Sequence, residues 1–327
     1  MPIHRSVSDL LASEDVASVS RISSFGAVPT VAQWDDYFVQ HNRYTQTTTF
    51  DRICRLPREP ITFTEPVSLR EIKGVLLMGG LIRFNLASAI TGPLIDATDA
   101  TEWGMVNITI DNVGAAAGCG MLLARSLSTV GAQAWRMANV HVKGPYTGSA
   151  WIVLGAELGS MDTCFGSNTQ ANGRGFWIAA NNDIDDSGTL ITSPFGDVAA
   201  DGAVSQTDVS LRNCSFTAKQ GSTCAGVDIH RAVGNVEFLC CNVSAHDCLA
   251  HYKIGDLGGA SVNRVRITGG SDGDPTNGIY VYRPVERCDF EMWRPGQAIT
   301  PYKVRNDDVT FTDAFTAARL PEGGVAP

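Results

Sequence analysis

The sequence lacks the features that mark membrane proteins, secreted proteins and common cofactor-dependent enzymes. Its longest apolar run, at residues 74–82, is too short to span a bilayer, and residues 1–6 contain no hydrophobic region of a signal peptide. It also contains no Walker motif, dinucleotide fingerprint, zinc-binding histidine pair or nucleophile elbow. We therefore expect no targeting segment, no membrane insertion and no cofactor.

Positive charge is scarce as well. The chain has 25 Lys and Arg against 34 Asp and Glu, which gives a formal net charge of -9. Because binding to phosphate backbones needs a basic surface, nucleic acid is not an expected partner. Only 18% of the residues are charged and 33 are glycine, a composition that suits a protein of short strands and turns.

The cysteines do not have the spacing of a small disulfide scaffold. There are nine, an odd number, and Cys214, Cys241 and Cys288 fall within or beside strand-like segments. We interpret them as buried thiols of a protein that matures in a reducing cytoplasm. Cys240 and Cys241 are adjacent and cannot both point inward from one regular strand, so one of them is expected at a turn or bulge.

What the sequence does contain is a repeat of hydrophobicity, with a period of about twenty-six residues from Trp103 almost to Phe315. Each unit carries two short alternating segments separated by Gly, Asn, Asp or Ser. The first apolar column runs through Ile108, Val140, Cys164, Ile191, Cys214, Cys241, Ile267 and Phe290. The second runs through Leu122, Ile152, Ile178, Val204, Ile229, Ile254, Val281 and Val304. Two columns with one mean period predict a solenoid.

The segments select the type of solenoid. They alternate with period two and are rich in β-branched and aromatic residues, whereas several common repeat families need a helix in every unit. The sequence therefore predicts an all-β fold, a right-handed parallel β-helix of about 8–10 coils. With strands stacked roughly 4.8 Å apart, the rod is on the order of 40 Å long.

The chain divides around this repeat. Residues 1–20 form a polar arm, residues 21–102 the cap and first coils, residues 103–315 the β-helix proper and residues 316–327 a C-terminal tail. Thr30 and Gln33 have capping-box spacing, and apolar residues then recur at helical intervals. A helix at about residues 31–44 should cap the first coil. Short strands are predicted at residues 53–56, 61–63, 67–69 and 75–78.

The N-terminal segment resembles a known family. Residues 24–29 (Ser-Phe-Gly-Ala-Val-Pro), the helix, residues 54–57 (Cys-Arg-Leu-Pro) and residues 76–80 (Leu-Leu-Met-Gly-Gly) resemble the opening of the pectate-lyase-like β-helix superfamily, in the form that recurs in bacteriophage tailspikes. The family's DGxxDDT segment is replaced by Val-Ala-Gln-Trp-Asp-Asp at residues 31–36. The resemblance implies a homotrimer on a virion surface, held to other virion proteins through residues 1–20.

Polysaccharide cleavage by such a protein would need paired carboxylates, about 6.5–9.5 Å apart for an inverting hydrolase. Alignment of Val209, Val236, Val262 and Val285 places Ser210, Glu237, Asn263 and Glu286 in one row. Glu237 and Glu286 would then stand two coils, roughly 9.6 Å, apart. Asp228 and His230 are the other acid–base candidates. The alternative for Glu237 and Glu286 is a pair of solvated turn carboxylates beside Arg264 and Arg287.

The second column also predicts an outward strip of Trp177, Asp228, Lys253, Tyr280 and Tyr282. Aromatic rings stack on sugars while Asp and Lys bond hydroxyl groups, so the strip suits glycan binding. Because Tyr and Trp favour interfaces, the strip suits contact between protomers equally well.

One segment has the start of a calcium loop. Asp183, Asp185 and Ser187 supply oxygen atoms at alternating positions and Gly188 stands sixth, but the twelfth position is Pro194 instead of the bidentate Glu. Calcium is a candidate ligand there, and an acidic turn between coils is the alternative.

The sequence favours a trimeric bacteriophage spike on the virion surface, made in the host cytoplasm, that serves attachment or decoration as a tailspike or tail fibre. Host surface polysaccharide is its candidate ligand. Two alternatives stay open. One is a polysaccharide-degrading hydrolase or lyase, and the other is a capsid-stabilising cement protein.

Overall fold

A computed structural model describes residues 19–21, 29–41, 52–126, 133–180, 206–230, 233–255, 262–281, 285–286, 289–293 and 300–304. These residues form one helix, α1 (Val31–His41), and 21 strands. The strands are β1 (Val19–Arg21), β2 (Arg52–Arg55), β3 (Ile61–Phe63), β4 (Val67–Ser68), β5 (Val75–Phe84), β6 (Pro93–Asp96), β7 (Gly104–Asn112), β8 (Ala117–Ala124), β9 (Arg136–Gly144), β10 (Tyr146–Leu154), β11 (Gly159–Asp162), β12 (Phe165–Ala171), β13 (Arg174–Ala179), β14 (Gln206–Arg212), β15 (Ser215–Ile229), β16 (Val233–Ile254), β17 (Val262–Asp272), β18 (Asn277–Val281), β19 (Val285–Glu286), β20 (Asp289–Trp293) and β21 (Thr300–Val304).

The strands stack in three parallel sheets, and each coil adds one segment to each sheet. In the coil that follows Trp103, residues 104–106 lie in the first sheet, residues 108–112 in the second and β8 in the third. In the first sheet an unbroken register joins Val19, Ile53, Leu76, Gly104, Arg136, Ser160, Ser210, Glu237, Arg266 and Asp289. This stacking confirms the predicted parallel β-helix.

Residues in the left-handed region bend successive coils on either side of the first sheet. One column of corners contains Gly74, Glu102, Ala134, Leu158, Asp208, Asn235 and Arg264. The other contains Gly79, Asn107, Asn139, Thr163, Asn213 and Cys240. All have φ between 51° and 67°, which Gly, Asn and Asp adopt at the least steric cost. Cys240 is exposed at its corner and Cys241 is buried, as the adjacent pair predicted.

Inward side chains stack from coil to coil in the core of the rod. In the third sheet Trp151, Phe176, Val227 and Tyr252 stack in register on successive coils and are buried. Gly166, in the second sheet, faces this column. A Cβ at Gly166 would lie 2.7 Å from Trp151 Cδ1, so the bulky indole requires a glycine opposite it.

Helix α1 packs its apolar side against the first coils, as predicted. Thr30 and Gln33 form the reciprocal capping box, with Gln33 N donating to Thr30 Oγ1 at 3.1 Å and Thr30 N to Gln33 Oε1 at 2.9 Å. Trp34 and Phe38 are buried in the main core, and the Trp34 indole donates to Ser68 O at 2.9 Å. The predicted residues 42–44 of the helix lie outside the described residues.

The two predicted apolar columns are confirmed in part, and the structure shows where the predicted alignment was wrong. The register joins Ile229, Ile254, Val281 and Val304 as predicted. Ile178, however, pairs directly with Ile229, whereas the prediction placed Val204 between them. Upstream, however, Ile152 pairs with Trp177 instead of Ile178, so the predicted column slips by one residue there and changes face. In the first column the register joins Ile267 to Phe238 and not to Cys241. Residues 191 and 204 of the two columns lie outside the described residues.

No helix in the described part of the chain is long and apolar enough to cross a membrane. Of the predicted N-terminal arm, only Val19 and Ser20 belong to the described residues, where they stack on the first coil. Residues 1–18 and the C-terminal tail lie outside the described residues.

Candidate functional site: a corner cleft and an aromatic pair

The predicted outward strip is aligned as expected, but it is buried. Trp177 pairs with Asp228, Asp228 with Lys253, and Lys253 with Tyr280 on successive coils. Asp228 is 0% exposed and Tyr280, the most accessible of the four, is 8% exposed. His230 is buried beside them, at 1%. These side chains therefore do not present a surface to a glycan in the described structure.

The strip forms a buried charge cluster, in which Arg174, Asp228 and Lys253 converge. Arg174 Nε lies 2.7 Å from Asp228 Oδ2, and Lys253 Nζ lies 3.5 Å from the same oxygen. The Arg174 guanidinium also lies over the Trp177 ring, 5.0 Å from its centroid, and the His230 ring meets Trp177 edge-on. Since buried charges need partners, this cluster fixes the alignment of neighbouring coils.

The predicted carboxylate row does not form. Val262 pairs with Val285, and Asn263 pairs with Glu286, as aligned. Glu237, however, pairs with Arg266. It lies in the row that contains Ser210 and Asp289. Val236 pairs with Val265 instead of Val262, which shifts the register by three residues. Glu237 and Glu286 therefore do not share a row, and the pair expected for inverting hydrolysis is absent from the described strands.

Other candidates fall outside the described residues. These are Tyr282 of the strip and the calcium candidates Asp183, Asp185 and Ser187. Within the described residues no group of three or more His, Cys, Asp or Glu side chains could hold a metal ion.

A cleft that the sequence did not predict opens at the corner between the first two sheets. Its volume is about 610 Å³, within the roughly 300–1,000 Å³ of typical ligand sites. The lining consists of Arg55, Leu56, Pro57, Arg58, Met78, Gly79, Gly80 and Asn107. We call it the corner cleft. It contains two exposed arginines and no carboxylate, which makes it a cationic site on an acidic chain.

Local backbone geometry creates this opening. Gly79 and Asn107 occupy the left-handed corner of two successive coils, and a Cβ at Gly79 would meet nothing within 4 Å. At the neighbouring Gly80 a Cβ would lie 2.8 Å from Leu56 Cβ, so glycine is required for the close approach of these coils.

Hydrogen bonds continue the corner cleft along the rod. Asn139 Nδ2 donates to Asn107 Oδ1 at 2.9 Å, and His141 Nε2 donates to Asn139 Oδ1 at 3.1 Å. The His141 ring then lies against the Phe165 ring, with centroids 4.3 Å apart. We call His141 and Phe165 the aromatic pair. Phe165 is 37% exposed, which is unusual for so large an apolar ring, so the pair forms a hydrophobic platform on the outer face of the second sheet.

Partial burial and a neighbouring positive charge both favour the neutral form of His141. Partial burial lowers the pKa of His141 below its usual value, and the positive charge of Lys143 lowers it further. Lys143 and Arg83 both pair with Asp111 beside the platform, at 3.6 and 3.9 Å. The face therefore combines a neutral aromatic platform with hydrogen-bonding and charged groups, an arrangement suited to a sugar chain.

Sequence reasoning missed this site for a physical reason. The corner cleft joins segments around residues 55–58, 78–80 and 107, which stack only once the coil lengths are known. The usable signals were Gly79-Gly80 after a strand and an outward-facing Phe165 beside the inward Cys164.

No protein-family model matches the chain, and no curated protein matches it. Solved structures do match. One is a tailspike protein of Acinetobacter baumannii bacteriophage Fri1, a capsular polysaccharide depolymerase, with 10% identity and a TM-score of 0.43 over 91% of this chain and 63% of that one. Another is the enzymatically active domain of tailspike protein 2 of bacteriophage CBA120, with 10% identity and a TM-score of 0.46 over 88% and 43%.

Endo-xylogalacturonan hydrolase from Aspergillus tubingensis also matches, with 13% identity and a TM-score of 0.45 over 90% of this chain and 76% of that one. The chain spans less than two thirds of the length of the two tailspikes. Similarities of this size assign neither a reaction nor a ligand to this chain.

Proposed function

We propose that the chain is the β-helix of a bacteriophage spike on the virion surface. The spike serves attachment to the host or decoration of the particle. Its ligand is an acidic host-surface glycan, bound along the corner cleft and the aromatic pair. The observation that carries this proposal is the continuous path from two arginines, through Asn107 and Asn139, to His141 and Phe165.

The chemistry of the path favours an acidic sugar. Arginine binds carboxylates and sulfates with charge-assisted, often bidentate hydrogen bonds. Within the described residues neither Arg55 nor Arg58 has an ion pair or side-chain hydrogen bond, so both guanidinium groups are available. The two asparagines offer amide groups to hydroxyls, and the Phe165 face is available to stack on a ring.

Binding, not cleavage, is what the described geometry supports. Glycoside hydrolysis uses two carboxyl groups that flank the scissile bond, and the described lining of the corner cleft contains none. The acidic candidates from the sequence lie elsewhere: Glu237 in the first sheet, Glu286 in β19 and Asp228 in the buried charge cluster of the third sheet.

A glycan array tests the proposed ligand class. We expect wild-type protein to bind carboxylated or sulfated glycans in preference to neutral ones. Substitution of both Arg55→Ala and Arg58→Ala should weaken binding by about 100-fold or more, since each charged hydrogen bond contributes about 1.5–3 kcal/mol and at least two are lost. Phe165→Ala should weaken glycan binding and leave the preference for acidic over neutral glycans almost unchanged.

Arg212→Ala provides the matched control. Arg212 is exposed and lies in the same register column as Arg55, five coils away, roughly 24 Å. Its substitution should leave binding unchanged. Equal binding of acidic and neutral glycans, or an Arg55/Arg58 variant that binds like wild type, would contradict the proposal.

We propose further that the spike is a homotrimer, as the resemblance to phage tailspikes implies. Closed symmetric assembly is the usual way in which rods of this kind present several copies of one weak binding surface. Light scattering coupled to size exclusion should give about three times the 34.9 kDa of one chain. A species with the mass of one chain at micromolar concentration would exclude the trimer.

A further inference from the structure

A pair of cysteines lies beside the buried charge cluster and has no role in the proposed glycan site. Cys224 Sγ and Cys248 Sγ are 3.2 Å apart, on two successive coils. Both are free thiols, and both are buried, at 1% and 2% exposure. With the alanines at 218 and 245 they form a small cluster of their own, separate from the main core.

An irregularity of the strand brings the two sulfur atoms together. Gly221 pairs with Cys248 and Ala225 with Ala250, so three residues of β15 stand opposite a single residue of β16. In a regular register Cys224 would lie too far along the strand to reach Cys248. The bulge redirects its side chain, which is a common function of such irregularities.

The pair lies directly beneath the surface. Ser222 and Thr223, which precede Cys224, are exposed, and so are His246 and Asp247, which precede Cys248. These four exposed residues place the pair near the surface, whereas Cys164, Cys214 and Cys241 belong to the main core.

The surroundings also favour ionisation of one thiol. The hydrogen bond with Cys248 lowers the pKa of Cys224 against the opposing effect of burial, and the positive charge of Arg174 lowers it further. The same hydrogen bond raises the pKa of Cys248. We take Cys224, whose pKa the positive charge of Arg174 also lowers, as the nucleophile of the pair and Cys248 as the resolving thiol.

We propose that Cys224 and Cys248 are a peroxide-sensitive modification site that closes to a disulfide between two successive coils. The Cys224 thiolate attacks one oxygen of hydrogen peroxide, the O–O bond breaks, and a sulfenic acid forms as hydroxide leaves and takes up a proton to give water. The Cys248 sulfur then attacks the sulfenic sulfur. Its proton and the departing hydroxide leave as a second water, and the S–S bond forms.

The geometry suits this reaction. A disulfide needs sulfur atoms roughly 2.05 Å apart, so the two Sγ atoms must approach by about 1 Å. The bond would cross-link residues 24 positions apart in sequence, which is one coil of the rod. Such a cross-link restricts separation of the two coils that also carry Asp228 and Lys253.

The test compares folded protein with and without hydrogen peroxide. After treatment the protein is unfolded, alkylated with iodoacetamide, digested and analysed by mass spectrometry. We expect a peptide pair joined through Cys224 and Cys248, with the mass reduced by two hydrogen atoms, and loss of alkylation at both positions. Dithiothreitol should restore both alkylated peptides. The guanidinium midpoint of unfolding should rise on oxidation and return on reduction.

Two variants separate the proposal from general oxidation. Cys224→Ser should abolish the cross-link and leave Cys248 open to alkylation, and its fold is checked by circular dichroism. Cys119→Ser removes a buried thiol for which the structure describes no cysteine partner, and it should leave the cross-link intact. The proposal is overturned if oxidised wild-type protein keeps both cysteines alkylatable, or if Cys248 is linked elsewhere.

Discussion

Replacement of Asp228 by asparagine should destabilise the protein by about 3–5 kcal/mol, the cost of leaving buried charges without their counterion. Asp228 is 0% exposed, and its Oδ2 atom binds both Arg174 and Lys253. Asparagine keeps the shape of the side chain and removes the negative charge. Guanidinium unfolding followed by circular dichroism measures the loss as a lower midpoint.

Asp111→Asn is the matched control for this substitution. Asp111 also binds two cations, Arg83 and Lys143, but those partners are 39% and 53% exposed. Because water screens exposed ion pairs, the change in free energy of unfolding should stay within about 1 kcal/mol. Similar effects of Asp228→Asn and Asp111→Asn would mean that burial of the cluster contributes little to stability.

Stability should fall by about 3 kcal/mol between pH 6.5 and pH 4 because of His251. Burial lowers the pKa of this histidine to about 4. Its ring is 0% exposed, Nε2 donates to Asp272 O at 3.0 Å, and Nδ1 has no hydrogen-bond partner in the structure. In the unfolded chain the ring binds a proton near pH 6.5, whereas in the folded chain it stays neutral down to about pH 4.

The sign of the effect follows from this difference. As the pH falls through the window, only the unfolded state gains a proton, so the unfolded state is stabilised and the folded protein loses stability. Well above pH 6.5 the histidine is neutral in both states and has no effect on the pH dependence. Guanidinium unfolding curves measured at intervals between pH 6.5 and pH 4 should therefore show a midpoint that falls as the pH falls.

His251→Gln tests the assignment, since glutamine retains an amide donor and does not titrate. The variant should lose most of the acid-dependent fall, after correction for any constant change in stability. His246→Gln is the control, because His246 is exposed and pairs with Asp274 at the surface. If the stability of His251→Gln falls between pH 6.5 and pH 4 as much as that of wild type, groups other than His251 cause the effect.

Local interactions account for what could be predicted. The capping box of Thr30 and Gln33 depends on residues three apart, and the helix formed where the sequence indicated. The column from Ile229 to Val304 was predictable because each coil between these residues has nearly constant length. The exposed position of Cys240 beside the buried Cys241 was predictable because two adjacent side chains cannot share one face of a strand.

The errors arose where two alignments were equally hydrophobic. Val262 and Val265 are both buried, at 1% exposure, and only the packing of β16 on β17 decides that Val265 pairs with Val236. Trp177 and Ile178 are likewise both apolar, and the third sheet buries its outer face as well as its inner one. A pattern of polar and apolar residues cannot separate the two faces there.

By itself the sequence determined the rod: the period of its strands, the capping helix and the turns are set by interactions between near neighbours and by the alternation of apolar side chains. The tertiary structure decided which residues from different coils meet. The corner cleft, the aromatic pair, the charge cluster around Asp228 and the Cys224–Cys248 pair all join residues about one coil or more apart. A single inserted residue in any coil would change these contacts and leave the hydrophobic repeat almost unaltered. The repeat tolerates variation in loop length, whereas contacts between particular side chains do not tolerate it.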